Sequence, residues 1–373
     1  MNATDFVTAM AQRGAGVMRG EMPALDSPDA WPTVFELARE HRVVPLVWQA
    51  LSSPGAPAVP APTRAAFEEQ VVQSAVTRML CEGTLQRLLA TLAPEGLRVL
   101  VLKGAAVAWS IHPNPSLRLY NDVDVLCRAS DYSSLAATLL ASGYTPVTFG
   151  PEGSKEGTHD SLGLKPSPAE SYSVRGFYDP AGGVKIEVHF DLLQFGLVDR
   201  GLEEVWRAAR TLTAGALQIP LLSPEHQFLH LASHVHRHCF TRLAWLIDLD
   251  LFIRQQVDRL DWANLMRLAL DEGMAPIVRH TLEILGRVLG TPMPALPPPT
   301  LEERFLAVCY RRLWPAEKVR RLEQREHRRH VRFWPDSADP RNVYPGLLLL
   351  GRRREKLQIL GLHYKRALGM KHP

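Results

Sequence analysis

Asp122 and Asp124 stand two residues apart in the run RLYNDVDVL, with Val123, Val125 and Leu126 between and after them. Side chains alternate along a β-strand, so residues two apart share a face. The two carboxylates then project together while the valines turn to a core. Side by side they repel, and a divalent cation between them removes that penalty. Mg²⁺ is a hard ion held by one or two carboxylates plus substrate phosphates. Upstream, LRVLVLKGAAVAWS reads as a strand over Leu97–Leu102, a turn at Lys103-Gly104 and a short apolar helix from about Ala105. Backbone N–H groups at a helix N-terminus attract phosphate. The two halves together point to metal-assisted phosphoryl chemistry. Glu187, in VKIEVHFDL, is the natural third carboxylate, with Asp191 as its substitute. A neighbouring antiparallel strand would bring Glu187 beside Asp122 and Asp124. Three carboxylates can hold two metal ions, one activating an attacking hydroxyl and one steadying the leaving phosphate.

Further polar residues fall around this set, each with a bland reading beside the functional one. Lys103 is a cation beside the phosphate cradle, or a solvated turn residue. Arg118, four residues before Asp122, either binds triphosphate or pairs with a surface acid. Lys185, Glu187, His189 and Asp191 share one strand face, and His189 is either a partner of the metal-bound carboxylates or a polar residue of that face. A separate row, His230, His234 and His238, repeats every four residues and continues toward Arg242, Trp245 and Asp248. Such spacing lines one helix face. The row lacks the general-base Glu of an HExxH zinc site, and a hydrogen-bonded network between helices explains it better than metal.

The elements that must carry these residues read as follows. Residues 1–51 are helical, with Ser27 or Asp29 as a cap and Val34, Leu37, Ala38 and His41 on one face. The run SSPGAPAVPAPT (Ser52–Thr63) is a connector. A long helix follows over Arg64–Leu92, its rows Phe67/Val71/Ala75/Met79 and Val72/Val76/Leu80 predicting packing on more than one side. Pro94-Glu95-Gly96 stops it. Ser130–Gly143 is a capped helix ending on glycine. Residues 144–176 are irregular, FYDPAGG turns between two strands, and Val184–Leu192 is a strong strand. Helices dominate from Ser223, with a Pro-rich connector at 291–299.

The 373 residues allow two or three domains with buried cores. Hydrophobic residues at 46% and charged residues at 22% are those of an ordinary globular protein. A formal charge of +4 does not by itself argue for nucleic acid. Cys81, Cys127, Cys239 and Cys309 form no CxxC pair, which excludes a zinc ribbon and a disulfide scaffold. There is no signal-peptide core at the N-terminus and no run of roughly 18 apolar residues. The expected setting is cytoplasmic, with no membrane partner. Residues 304–332 carry ten Lys/Arg against three Glu. That stretch can attract a polyanion, but a solvated helix with Glu–Arg pairs explains it better, so nucleic acid is not the favoured partner.

On AREHRVVPLVWQAL, LKGAAVAW, RLYNDVDVL, GYTPV, IEVHFDLL and SPEHQFLHLASHVHRHCFTRLAWLIDLDLF, about Arg39 to Phe252, the chain resembles a known group. It is the bacterial group of uncharacterised nucleotidyltransferases within the DNA polymerase β-type superfamily. Most of that superfamily carries Gly-Ser at the phosphate turn; this chain has Lys103-Gly104-Ala105, the form usual in the resembling subgroup. The resemblance implies an α+β fold with a small mixed sheet as nucleotidyltransferase core and helical regions on either side of it in sequence. The expected regions are 1–94 (helical), 95–200 (core), 201–290 (helical, closing on nucleotide and acceptor) and 291–373 (basic extension). The implied reaction is Mg²⁺-dependent transfer of a nucleoside monophosphate, AMP from ATP, onto a hydroxyl, with two ions expected and Mn²⁺ as an alternative. Asp122, Asp124 and Glu187 are then the catalytic and metal residues, and Lys103, Gly104 and Arg118 the nucleotide-binding ones. His189, His234, His238 and Arg242 serve the acceptor or support the carboxylates. The acceptor is a small molecule, a protein or an RNA. The alternative is a non-catalytic nucleotide-binding or interaction module on the same fold.

Overall fold

Caps and prolines explain where the N-terminal helices start and stop. In this computed structural model, which describes residues 1–147, 175–193, 202–215, 217–256, 260–313 and 315–320, Asn2 accepts from the Asp5 N–H and opens α1 (Ala3–Gly14). Ser27 caps a 3₁₀ turn at Pro28–Ala30 that leads into α2 (Trp31–Glu40). The sequence predicts a helix running on to Leu51. Instead Arg42 adopts φ 56°, and α3 (Val44–Leu51) starts afresh with proline in its first turn. A left-handed residue ends a helix, and proline suits a new start.

The connector gives way to α4 (Ala61–Leu92). Among the described residues, packing on more than one side along its length is not observed. Phe67, Cys81, Leu85, Leu88 and Leu92 are buried, whereas Val72, Val76, Met79 and Leu80 are 64%, 52%, 63% and 42% exposed. Periodicity marks an apolar stripe but does not say whether another element lies against it.

The chain continues through β1 (Leu100–Val101), α5 (Lys103–Ser110), β2 (Asp122–Leu126), α6 (Tyr132–Ala141), β3 (Thr145–Val147), β4 (Arg175–Tyr178), β5 (Lys185–His189), α7 (Leu202–Ala208), β6 (Arg210–Ala214) and β7 (Leu217–Leu221). These strands form one mixed sheet in the order β3-β4-β5-β2-β1-β7-β6. Strand β2 is antiparallel to β1 and parallel to β5. The antiparallel pairing predicted for Glu187 is therefore corrected: β5 runs alongside β2 in the same direction. Hairpin β4–β5 is antiparallel and closes through the FYDPAGG turn. Asp179 in that turn accepts from Thr84 Oγ1 at 2.7 Å, Arg87 Nε at 3.0 Å and the Gly182 N–H at 3.0 Å, tying the hairpin to α4. Val123, Val125, Ile186 and Val188 join one buried cluster with Leu85, Leu88 and Leu92 of α4, Ala105 and Ala108 of α5, and Leu135 and Leu139 of α6. The mixed sheet with helical regions is the α+β class that the sequence predicts.

Two units divide the chain. Arg64–Gln227 holds the sheet, so α4 and hairpin β6–β7 belong with it. That hairpin is a strand pair the sequence reading lacks, although Thr211/Thr213 and Leu212/Ala214 alternate about a turn at Gly215, which has φ 60°. The other unit combines Met1–Thr63 with Phe228 onward. Its elements continue as α8 (Pro224–Arg237, which begins in the sheet unit), α9 (Leu243–Gln256), α10 (Trp262–Asp271), α11 (Ala275–Leu289), α12 (Leu301–Leu313) and α13 (Ala316–Arg320). Within it, Gln12 Nε2 donates to the Leu289 carbonyl at 2.8 Å, and buried Asp250 accepts from Thr291 at 2.7 Å and Arg254 at 2.8 Å. Most of 144–176, and the basic stretch past Arg320, lie outside the described residues.

Candidate active site

Register decides which of the predicted residues meet. On β2 and β5 the paired positions are Asp122 with Lys185, Asp124 with Glu187, and Leu126 with His189. The Leu102 N–H donates to the Asp124 carbonyl at 2.9 Å, extending the β1–β2 ladder by one residue. Lys103 is the next residue in sequence, and its side chain enters the same spot. Its backbone has φ 45°, in the left-handed region that L-residues avoid and that occurs where surrounding structure compels it.

The resulting cluster is tight. Lys103 Nζ donates to Asp124 Oδ1 at 2.6 Å and lies 4.0 Å from Glu187 Oε2. His189 Nε2 is 2.7 Å from the same Asp124 oxygen and 3.8 Å from Glu187 Oε2. Lys103 Nζ and His189 Nε2 are 3.3 Å apart. Asp124 Oδ1 has only lone pairs, so the 2.7 Å contact assigns the Nε2–H tautomer to His189, and the 3.3 Å approach of Lys103 Nζ is then a close contact rather than a hydrogen bond. Lys185 Nζ closes the outer side at 2.5 Å from Glu187 Oε1. Sequence reasoning places Lys185 on this face but gives it no role; its signal is the two-residue spacing to Glu187.

Burial and charge set the protonation states. Burial alone would raise the Asp124 pKa. The Lys103 charge and the hydrogen bond from His189 outweigh it and hold the carboxyl well below the usual range. His189 is pushed down by burial first and by Lys103 second, against the pull of Asp124, so its imidazole is neutral at pH 7. A buried ionised carboxylate is stable only when paired in this way.

Among the described residues, Asp124, Glu187 and His189 form a set whose ligand atoms all lie within 4.8 Å of one another. Two carboxylate oxygens and an imidazole nitrogen suit a divalent cation, and the residues fit such an ion. The predicted set differs by one member. Asp122 lies one step along β2, opposite Lys185, and is outside this trio. Its charge raises the pKa of the Cys81 thiol, which burial first and Asp122 second push up to about 12. Asp191 accepts from the Leu193 N–H at 2.9 Å, beyond the end of β5.

At the turn expected to face phosphate, helix α5 begins at Lys103, two residues before the predicted start, and no side chain caps it, which leaves its first N–H groups for other acceptors. Gly104 is buried, and a Cβ there would stand 2.5 Å from Tyr120 Cβ, so packing alone requires glycine. Arg118 is 6% exposed and donates to the Leu119 carbonyl.

The histidine row lies in the helical unit. His234 and His238 stand ring to ring at 4.6 Å, Trp245 lies 4.8 Å and 5.1 Å from them, and the Arg242 guanidinium covers Trp245 at 4.9 Å. Of the predicted acceptor residues, the structure groups His234, His238 and Arg242 here, and His189 with the carboxylates. His236, which the row's spacing skips, is buried with Phe240, His280 and Tyr310 at ring distances of 5.8, 6.1 and 4.8 Å.

A strand-borne carboxylate set next to a strand–helix turn is the arrangement expected from the sequence for phosphoryl chemistry. Comparison with known families agrees: residues 27–290 match the family described as uncharacterised nucleotidyltransferase. The match covers well over half of the chain, which belongs to that family and is a nucleotidyltransferase. No curated protein matches it. The crystal structure of an antigenic nucleotidyltransferase-like protein from Paracoccidioides brasiliensis is similar at 15% identity, covering 58% of this chain and 89% of that one, with a TM-score of 0.35. Among the described residues, no helix is long and apolar enough to cross a membrane.

Proposed function

We propose that this nucleotidyltransferase moves AMP from ATP onto a hydroxyl of a small-molecule, protein or RNA acceptor. The observation that supports this reading is the meeting of Asp124, Glu187 and His189 beside the uncapped start of α5. Asp122, Asp124 and Glu187 would hold Mg²⁺ or Mn²⁺, with His189 orienting Asp124. A bound divalent ion supplies charge neutralisation at the α-phosphate and lowers the pKa of the attacking hydroxyl. Lys103, the backbone at Gly104, and Arg118 hold the triphosphate. Glu187 takes the acceptor proton as the new P–O bond forms and the bond to pyrophosphate breaks in line. Positioning and charge neutralisation supply most of the rate. Acceptor recognition falls to 201–290, where His234, His238, Arg242 and Trp245 offer a cationic, aromatic surface.

A second reading has its own observation. Lys103 and Lys185 already neutralise Asp124 and Glu187, as a nucleotide-binding module without turnover would require. Calorimetry of ATP with Mg²⁺, wild type against Asp122→Asn/Asp124→Asn, with pyrophosphate followed in the same samples, separates the two. Metal-dependent binding and pyrophosphate release, both lost in the double variant, are expected. Tight binding without release favours the module. Absence of nucleotide binding by folded wild type sinks both.

A further inference from the structure

The Lys103 ammonium stands where a bound cation would. Its Nζ is 2.6 Å from Asp124 Oδ1, 3.3 Å from His189 Nε2 and 4.0 Å from Glu187 Oε2. Those are the three groups whose ligand atoms converge within 4.8 Å. Asp124 Oδ1, the oxygen they share, accepts from both Lys103 and His189. A divalent ion ligated by that oxygen and an ammonium at hydrogen-bond distance from it would repel strongly in a site with little water. The two cations exclude each other. Lysine is suited to leave, because its charge sits on a flexible four-carbon stem rather than a planar fork. The left-handed backbone at Lys103 aims that stem at Asp124 from the first residue of α5. Its destination is then one helix terminus away, at the N–H groups that attract phosphate. Lys185, 2.5 Å from Glu187 Oε1, remains to serve the outer carboxylate.

We propose that Lys103 is the resident counter-cation of the Asp124–Glu187–His189 trio, that it yields this place to a divalent ion, and that its freed ammonium passes to the nucleotide phosphates. This rests on the nucleotidyl-transfer reading of the site. Lys103 thereby couples metal entry to nucleotide capture: without nucleotide it opposes metal, and with nucleotide it has a second anion to bind.

The test uses Mn²⁺ alone as the probe, on the full chain, by calorimetry and the Mn²⁺ spin-resonance signal. Lys103→Met is expected to bind Mn²⁺ at least tenfold more tightly than wild type without nucleotide, and ATP with Mn²⁺ at least tenfold more weakly. Mn²⁺ binding that is no tighter in folded Lys103→Met, yet is abolished by Asp124→Asn, overturns the displacement and leaves the metal-site reading intact. Lack of Mn²⁺ binding by both wild type and Lys103→Met, with or without ATP, removes the reading and the inference together. Should Lys103→Met fail to fold, wild type suffices. Acylation of the 15%-exposed Lys103 side chain is expected to accelerate at least tenfold with saturating Mn²⁺ and to slow again with a non-hydrolysable ATP analogue. Labelling that stays unchanged while Mn²⁺ binds overturns the proposal.

Discussion

At Asp124 in the sheet unit, a buried carboxylate stays ionised with Lys103 at 2.6 Å and His189 at 2.7 Å. At His236 in the helical unit, a buried imidazole is kept neutral among Phe240, His280 and Tyr310. Burial first, and the neighbouring His280 second, hold the His236 pKa well below its ordinary value. One region retains charge and balances it; the other avoids charge. The contrast separates a place where buried charges are paired from one where they are avoided, although both are rich in titratable groups. Histidine alone therefore marks neither. The partner decides: a carboxylate and an ammonium in one case, aromatic rings in the other.

The largest expected effect breaks the balanced region. Asp124→Ala leaves the largely buried Lys103 ammonium without its nearest counter-charge and should cost about 3–5 kcal/mol in urea unfolding. A loss under about 1 kcal/mol would mean the pair does not hold this part of the sheet. Next is Gly104→Ala, whose Cβ would meet Tyr120 Cβ at 2.5 Å and force α5 to shift. Overpacking of this kind costs about 1–3 kcal/mol, and nucleotide affinity should fall with it, both read by thermal melts with and without ATP.

The pH dependence sharpens the comparison. A histidine whose folded pKa is depressed leaves stability intact above its unfolded value, about 6.5. As pH falls below that, the unfolded chain takes up a proton that the folded state refuses. His189, also held low, adds to the same limb. Removing one such group by His236→Phe should flatten the stability–pH curve below pH 6.5 by about 1.4 kcal/mol per pH unit. An unchanged slope would show that His236 titrates normally. Asp124 behaves oppositely in range: its depressed pKa contributes stability above about 3.9 that is lost only as pH falls through the folded value. Acid should therefore weaken the histidine cluster before the carboxylate site's ion pair. The smallest effect belongs to the exposed stripe of α4, where Val72→Thr and Met79→Gln should each change stability by less than about 0.5 kcal/mol.

The sequence alone determined the residue types and their local order. Asp122 and Asp124 fall on one strand face because of the two-residue period, Lys103 and Gly104 lie at the strand–helix junction after β1, and FYDPAGG turns the chain between β4 and β5. Each follows from contacts between residues close in the chain. Hairpin β6–β7 carries a similar local signal, alternation beside Gly215, but its short runs resemble loop and the sequence alone did not reveal it. Only tertiary structure decided that β5 lies parallel to β2, because strand direction depends on connections that periodicity does not encode. That register set Glu187 against Asp124 and let His189 share Asp124's oxygen, which put Asp122 outside the trio. It also decided that Lys103 faces those groups, and that one stripe of α4 is exposed among the described residues. Spacing tells which residues travel together on an element, and packing tells which element they meet.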